Sequence, residues 1–240
     1  MSPDVRSERS PGPHFFVDDL DAPALSPEDR HHAERALRLR RGEPLTVSDG
    51  AGGWRAAQWG SRIQPIGPVM IEDPPDPPLS VCFALVKASK PELVVQKLTE
   101  TGIDHIIPFV AERSVVQWDQ ARAGRAVERL RAVGRAAAMQ SKRAWLPRVD
   151  DVSAFSDVAA APATVMADLG GRSPTRGDLR VLIGPEGGWS DTERGRQLEC
   201  VTFGSHVLRA ETAAIAVGAI LVALRDGVVA PSGPRDRDGG

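Results

Sequence analysis

The stretch from Arg180 to Leu224 limits what this chain can fold into more than any other. Val181-Leu182-Ile183 is a short apolar run with the length and composition of a buried strand, and Gly184-Pro185-Glu186-Gly187-Gly188 follows it at once. A strand therefore ends in a glycine-rich loop. Ser190 and Glu193 then stand at capping-box spacing, in which a hydroxyl and a carboxylate each satisfy an orphan amide at a helix start. Cys200 to Phe203 reads as a second short strand, and Gly204-Ser205-His206-Val207-Leu208-Arg209 leads from it into a helix from Glu211 to Leu224. That helix is almost free of charge. Ala213, Ala214, Ile215, Val217, Gly218, Ile220, Leu221 and Leu224 cover nearly its whole circumference, the pattern of a helix buried on most sides.

Two such loops after consecutive strands belong at the carboxyl end of a sheet, where open α/β folds bind ligands. The predicted site is made of backbone, since glycine lets main-chain N–H and C=O groups approach a ligand with no Cβ in the way. Neither the Gly-Lys-Ser/Thr ending of a P-loop nor a G-x-G-x-x-G dinucleotide fingerprint is present. Glycine content alone leaves a second reading open, that both loops are tight connections.

The upstream chain supplies the rest of an α/β domain. Leu79 to Val86 reads as a strand, and His105 to Val110 as the next. Between them Lys90 to Thr101 reads as a helix, with Ser89 and Glu92 as its capping box, Pro91 in its first turn and Gly102 as its stop. Such alternation predicts a largely parallel sheet. Asp119 caps a longer helix with Val127, Leu130 and Val133 on its inner side and Arg122, Arg125, Arg129, Arg131 and Arg135 around the others. Val158 to Ala163 ends a helix, and Thr164 to Ala167 is a further strand. Asp73-Pro74-Pro75-Asp76-Pro77-Pro78 is a stiff linker, because each proline restricts itself and its predecessor. Ahead of it, short strands at His14–Val17, Leu45–Ser48 and Trp54–Trp59 flank a hairpin turn at Asp49-Gly50 and Gly52-Gly53. Ser26-Pro27 opens a helix that runs to about Leu39. Short strands and tight turns predict a small barrel. The expected organisation is a tail over 1–13, a barrel over 14–72, a linker over 73–78, an α/β domain over 79–227 and a second tail over 228–240.

A length of 240 residues allows one large domain or two small ones with real cores. Cys82 and Cys200, the chain's two cysteines, each lie in an apolar run, which predicts reduced core residues and no zinc site. No apolar run approaches the roughly 18 residues of a membrane span, and the N-terminus lacks an apolar signal core, so a cytoplasmic protein is expected. With a formal net charge of -2, affinity for a nucleic acid has to come from local patches. Arg122 to Arg148 is one: Lys142, Arg143 and Arg148 join the five arginines above, against the single acid Glu128. Its bias suits phosphate contacts; a solvated helix face is the alternative. Arg35, Arg38, Arg40 and Arg41 form another.

Gly184-Pro185-Glu186-Gly187-Gly188 and Leu208-Arg209-Ala210-Glu211-Thr212-Ala213 resemble the signature of the small-subunit ribosomal RNA (uracil-N3) methyltransferases of the SPOUT superfamily. Gln96-Lys97-Leu98-Thr99-Glu100-Thr101-Gly102, Pro108-Phe109, Glu112-Arg113-Ser114 and Gln140-Ser141-Lys142-Arg143 are similar to that family in order and spacing, so that the resemblance runs over residues 14 to 226. It implies a C-terminal trefoil-knotted α/β domain with a mostly parallel sheet, an N-terminal PUA-like RNA-binding barrel and a homodimer. It also implies S-adenosylmethionine, held in a bent pose by Leu182, Ile183, Gly184, Pro185, Glu186, Gly187 and Gly188 of the first loop and Phe203, Gly204, Val207, Leu208, Arg209, Thr212 and Ala213 of the second. The reaction implied is methylation of uridine N3 in small-subunit ribosomal RNA, free or in an assembling 30S particle, without a metal. RNA would lie on Arg38, Arg40, Lys87, Lys90, Arg113, Lys142 and Arg143. Met139 and Ala210 depart from the family's usual residues.

Uracil N3 is a weak acid, so the reaction needs a base for its proton or a cation for the resulting anion. Arg209 can only be the cation, and it is expected near the apolar core with a ligand or carboxylate to meet. Glu100 and Arg113 either join that network or pair with each other. Glu211 can be the base. Glu186 and Glu211 also each lie near a helix N-terminus, where the dipole alone favours a carboxylate. Competing functions are a SPOUT methyltransferase acting on a ribose 2'-hydroxyl or on tRNA, and a non-catalytic RNA-binding protein, against which the intact loops and Arg209 speak.

Overall fold

The computed structural model describes residues 12–85, 90–114 and 120–231. The chain divides into two compact units, Met1–Pro75 with Arg135–Leu146, and Asp76–Gly134 with Pro147–Gly240. Arg135–Leu146, which the sequence places in the α/β domain, thus groups with the first unit.

The first unit holds strands β1 (His14–Phe16), β2 (Pro44–Ser48), β3 (Gly53–Gln58) and β4 (Gln64–Ile71), in that order across one sheet, with helix α1 (Pro27–Arg35). β1 runs parallel to β2, and the other pairs are antiparallel. Asp49 closes the β2–β3 turn by accepting from the amides of Ala51 and Gly53 at 2.7 and 3.0 Å, while Gly50 and Gly52 take φ of +77° and +97°, values glycine adopts without strain. Ser26 caps α1 by accepting from the Asp29 amide at 3.0 Å. The helix stops at Arg35, short of Leu39, and Arg38 has turned to φ +53°. Phe15, Leu45, Val47, Ala57 and Trp59 build the core. Buried Asp29 meets Arg135 at 2.6 Å, a paired and therefore tolerable buried charge.

The second unit alternates strand and helix: β5 (Ser80–Ala84), α2 (Lys90–Thr101), β6 (His105–Val110), α3 (Gln120–Gln140), β7 (Arg148–Val149), β8 (Ser153–Ala154), α4 (Phe155–Ala159), β9 (Thr164–Arg172), β10 (Arg180–Ile183), α5 (Asp191–Arg194), β11 (Cys200–Val201) and α6 (Ala210–Arg225). α3 is the element that passes from this unit into the first. The sheet order is β11-β9-β10-β5-β6-β7, with β8 also on β6, and every pairing is parallel. Successive strand residues face opposite sides. Val81, Phe83, Val181 and Ile183 enter a core shared with α2, α3 and α6, while Cys82, Met166 and Leu182 enter another with Phe109, Val158 and Trp189. Burial of both faces explains why these strands read as unbroken apolar runs.

α2 and β6 have the expected bounds, while β9 runs on past Ala167 to Arg172 and β11 stops at Val201. Ser89, Lys87 and Asp119 lie outside the described residues. α6 corrects an expectation. Its buried residues are Ala210, Ala214, Val217, Gly218, Leu221 and Leu224, a single stripe, whereas Thr212 and Ala219 are exposed and Ile215 and Ile220 half-buried. An apolar circumference does not supply a packing partner on every side. Among the described residues no helix is long and apolar enough to cross a membrane.

Candidate active site

β11, β9 and β10 are neighbours in the sheet, and the middle of β9, the segments that follow β10 and β11, and the start of α6 enclose a cavity of about 230 Å³. Its walls come from Ala167, Asp168 and Leu169 of β9, from Ile183 to Glu186 with Gly188 and Trp189 after β10, from Val201 to Gly204 and His206 to Leu208 after β11, and from Ala210, Ala213 and Val217 of α6, with Arg194.

The first loop is fixed from below and behind. Trp189, 4% exposed, stacks on Phe109 at 6.3 Å between centroids and donates its indole N–H to the Ala167 carbonyl at 3.2 Å. A Cβ on Gly184 would stand 2.9 Å from the indole Cε2, so only glycine lets the chain pass. Gly188 has φ +70° and donates to the Pro185 carbonyl at 2.9 Å, closing the turn. The capping box at α5 is complete: Ser190 Oγ accepts from the Glu193 amide at 3.1 Å and Glu193 Oε2 from the Ser190 amide at 2.9 Å. Glu193 also accepts from the Glu112 amide at 2.9 Å, which ties the segment after β6 to the loop.

Of the residues expected at the cofactor, Ile183, Gly184, Pro185, Glu186, Gly188, Phe203, Gly204, Val207, Leu208 and Ala213 line this cavity; Leu182, Gly187, Arg209 and Thr212 do not. Leu182 alternates with Ile183 and is buried under the opposite face of the sheet. A Cβ on Gly187 would meet Arg113 Cβ at 3.3 Å, so that glycine makes room for Arg113, whose guanidinium donates to the Gly187 carbonyl at 3.4 Å. Arg209 is the N-cap residue of α6 and is exposed, away from the apolar core, with no ion-pair partner among the described residues. Glu100 pairs with Lys97 at 2.6 Å, not with Arg113.

Glu211 lies in the first turn of α6 with one carboxylate oxygen 3.3 Å from Lys90 Nζ and the other buried without a hydrogen-bond partner among the described residues. Lys90 Nζ also sits 2.6 Å from Glu186. Its pKa is raised, chiefly by the hydrogen bond to Glu186. Of the other residues expected on RNA, Arg38, Arg40 and Arg113 are exposed and Lys142 and Arg143 half-buried. Sequence reasoning missed Asp168, Trp189, Arg194 and His206. Asp168 and Arg194 form an ion pair at the cavity, and the salient signal was an acid directly after the apolar run Thr164–Ala167. Among the described residues no three His, Cys, Asp or Glu side chains gather as a metal site.

Residues 73–222 match the RNA methyltransferase domain family. The ribosomal RNA small subunit methyltransferase E of Mycobacterium bovis is 33% identical over 238 aligned positions, covering 86% of this chain and 90% of the relative. That of Bacillus subtilis is 30% identical over 219, covering 79% and 85%. A Legionella pneumophila methyltransferase solved with bound S-adenosylmethionine superposes with a TM-score of 0.76 at 26% identity, over 88% of this chain and 96% of that one. The Neisseria gonorrhoeae ribosomal RNA small subunit methyltransferase E, at 24% identity and a TM-score of 0.70 over 88% and 97%, shares the fold. The chain belongs to the RNA methyltransferase family, among the ribosomal RNA small subunit methyltransferases E.

Proposed function

We propose that this protein methylates N3 of a uridine in small-subunit ribosomal RNA with S-adenosylmethionine as donor. The observation that carries the reading is the cavity at the middle of β9 and the carboxyl ends of β10 and β11, bounded by both glycine loops. The residues fit this cofactor. A Cβ on Gly188 or Gly204 would meet nothing within 4 Å, so the main chain is bare there. Ile183, Ala213 and Val217 offer apolar surface to an adenine ring, and Asp168, Glu186 and Arg194 offer charges to the amino-acid and ribose groups. The cofactor supplies a methyl group already activated on a sulfonium.

The chain's own part is placement and proton removal. Glu211 takes the N3 proton, and the exposed guanidinium of Arg209 holds the charge that develops on the uracil oxygens. N3 lies on the Watson–Crick edge, so the target base is unpaired or flipped when it reacts.

The same reading gives the first unit the role of a PUA-like RNA-binding barrel and makes 73–78 the linker to the methyltransferase domain. β10 lies between β9 and β5, both earlier in the chain, an arrangement that supports a trefoil knot. The half-buried flank of α6 and exposed Leu169, Val207 and Val228 support a homodimer. Arg38, Arg40, Lys142 and Arg143 are the proposed RNA contacts of the first unit.

Calorimetry should give one S-adenosylmethionine or S-adenosylhomocysteine per chain, and nucleoside mass spectrometry of small-subunit RNA treated with the enzyme should give N3-methyluridine. A 2'-O-methylated nucleoside, a tRNA product or no cofactor heat would overturn the reading.

A further inference from the structure

The Lys90 ammonium stands at the junction of three separate segments. It opens α2, it bonds Glu186 of the loop after β10 at 2.6 Å, and it lies 3.3 Å from one oxygen of Glu211 at the start of α6. Three donors on one nitrogen let a single lysine serve two carboxylates at once. The remaining Glu211 oxygen is buried and has no hydrogen-bond partner among the described residues. Leaving an acceptor buried and unsatisfied is unfavourable, and a donor that arrives with the substrate is one account of such a group. The segment before Glu211 and the loop bearing Glu186 both border the cavity, whereas Glu211 itself stands just outside it. Ala210, the residue before Glu211, lines the cavity, and the lysine on its twin fixes the direction of the buried free oxygen.

We propose that Lys90 is a positioning residue for the methyl transfer: its ammonium holds one oxygen of Glu211 and so presents the other to the N–H of the incoming base. This rests on the reading of Glu211 as proton acceptor. In the step concerned the N3–H bond breaks, its electron pair stays on N3, and the proton ends on the presented oxygen as a neutral carboxylic acid. Glu186, held by the same ammonium, keeps the glycine loop in register with α6, so cofactor loop and base are set by one cation. This assigns Lys90 away from the RNA backbone. A phosphate contact would act on RNA affinity; a positioning contact acts on turnover.

The test is a cycle of Lys90→Met, Lys90→Arg, Glu211→Gln and the double variant Lys90→Met/Glu211→Gln, assayed on small-subunit RNA. Lys90→Met should lower kcat about tenfold or more, out of the roughly 10²–10⁴-fold that a placed base supplies, with KM for RNA and calorimetric cofactor affinity within about twofold of wild type. Lys90→Arg should restore most of the rate. The double variant should be no slower than Glu211→Gln alone, because both changes remove one device. In the cofactor-free protein Lys90→Met should lower Tm, and adding Glu211→Gln should recover part of that loss. A raised KM for RNA with kcat intact would make Lys90 a phosphate contact and overturn the proposal. Strictly additive rate or Tm effects would overturn it too. Wild-type turnover in Glu211→Gln would remove the base assignment itself, whereas a slow Glu211→Gln beside a normal Lys90→Met would remove only the role of Lys90.

Discussion

A Cβ on Gly184 would stand 2.9 Å from Cε2 of Trp189, so the first residue of the loop after β10 lies directly against a buried indole. The ring is held on its other sides by Phe109 and by the Ala167 carbonyl and has little room to retreat. Gly184→Ala is expected to cost about 1–3 kcal/mol of stability through overpacking, and to weaken cofactor binding by moving the loop. Gly204→Ala is the contrast, since its Cβ would meet nothing within 4 Å. Its stability should stay within about 0.5 kcal/mol of wild type, and any loss should fall on cofactor affinity alone. Thermal melts with calorimetry separate the two; equal melts for both variants would contradict the packing described.

Ser190 and Glu193 are 4% and 3% exposed and close the capping box that ends the loop. Ser190→Ala should cost about 0.5–2 kcal/mol as a lost cap. Glu193→Ala should cost more, because it leaves the buried Ser190 amide without an acceptor, worth about 1–3 kcal/mol, and also removes the acceptor of the part-buried Glu112 amide. Denaturant titration checks the order of the two.

His105 has its pKa lowered, burial outweighing the Asp150 carboxylate 2.7 Å from Nε2. At neutral pH the ring is uncharged and donates its Nε2 proton to Asp150. The unfolded chain then binds a proton more readily than the folded one, so this stabilisation is present above the ordinary histidine value of about 6.5 and is lost as pH falls below it. His105→Gln should flatten the decline of stability between about pH 7 and 5. An unchanged slope in Tm against pH would contradict the half-buried, neutral ring.

Arg209 is exposed at the N-cap of α6 and caps nothing with its side chain. Arg209→Ala should therefore leave stability within about 0.5 kcal/mol of wild type, with its effect confined to turnover on RNA. Arg209→Lys, which keeps the charge but loses the planar fork, should be slow at every pH. A large fall in Tm for either variant would return Arg209 to a structural role.

The amino-acid order by itself determined what is settled over a few residues. The strand at Val181–Ile183, the strand His105–Val110, the helix Lys90–Thr101 and the Ser190/Glu193 box were all legible, because period, breaker and cap act within one or two turns of chain. The loop motifs gave the family by resemblance, and most of their residues line one cavity. Tertiary structure decided which side of each element matters. Ile183 faces the cavity while Leu182 does not, since a strand turns alternate residues away. α6 buries one stripe, because an apolar surface packs only where a neighbour exists. Lys90, Glu186 and Glu211 meet because the sheet order brings the ends of distant segments together, as it does Asp168 with Arg194. Such meetings depend on contacts across the fold, and no local pattern in the chain encodes them.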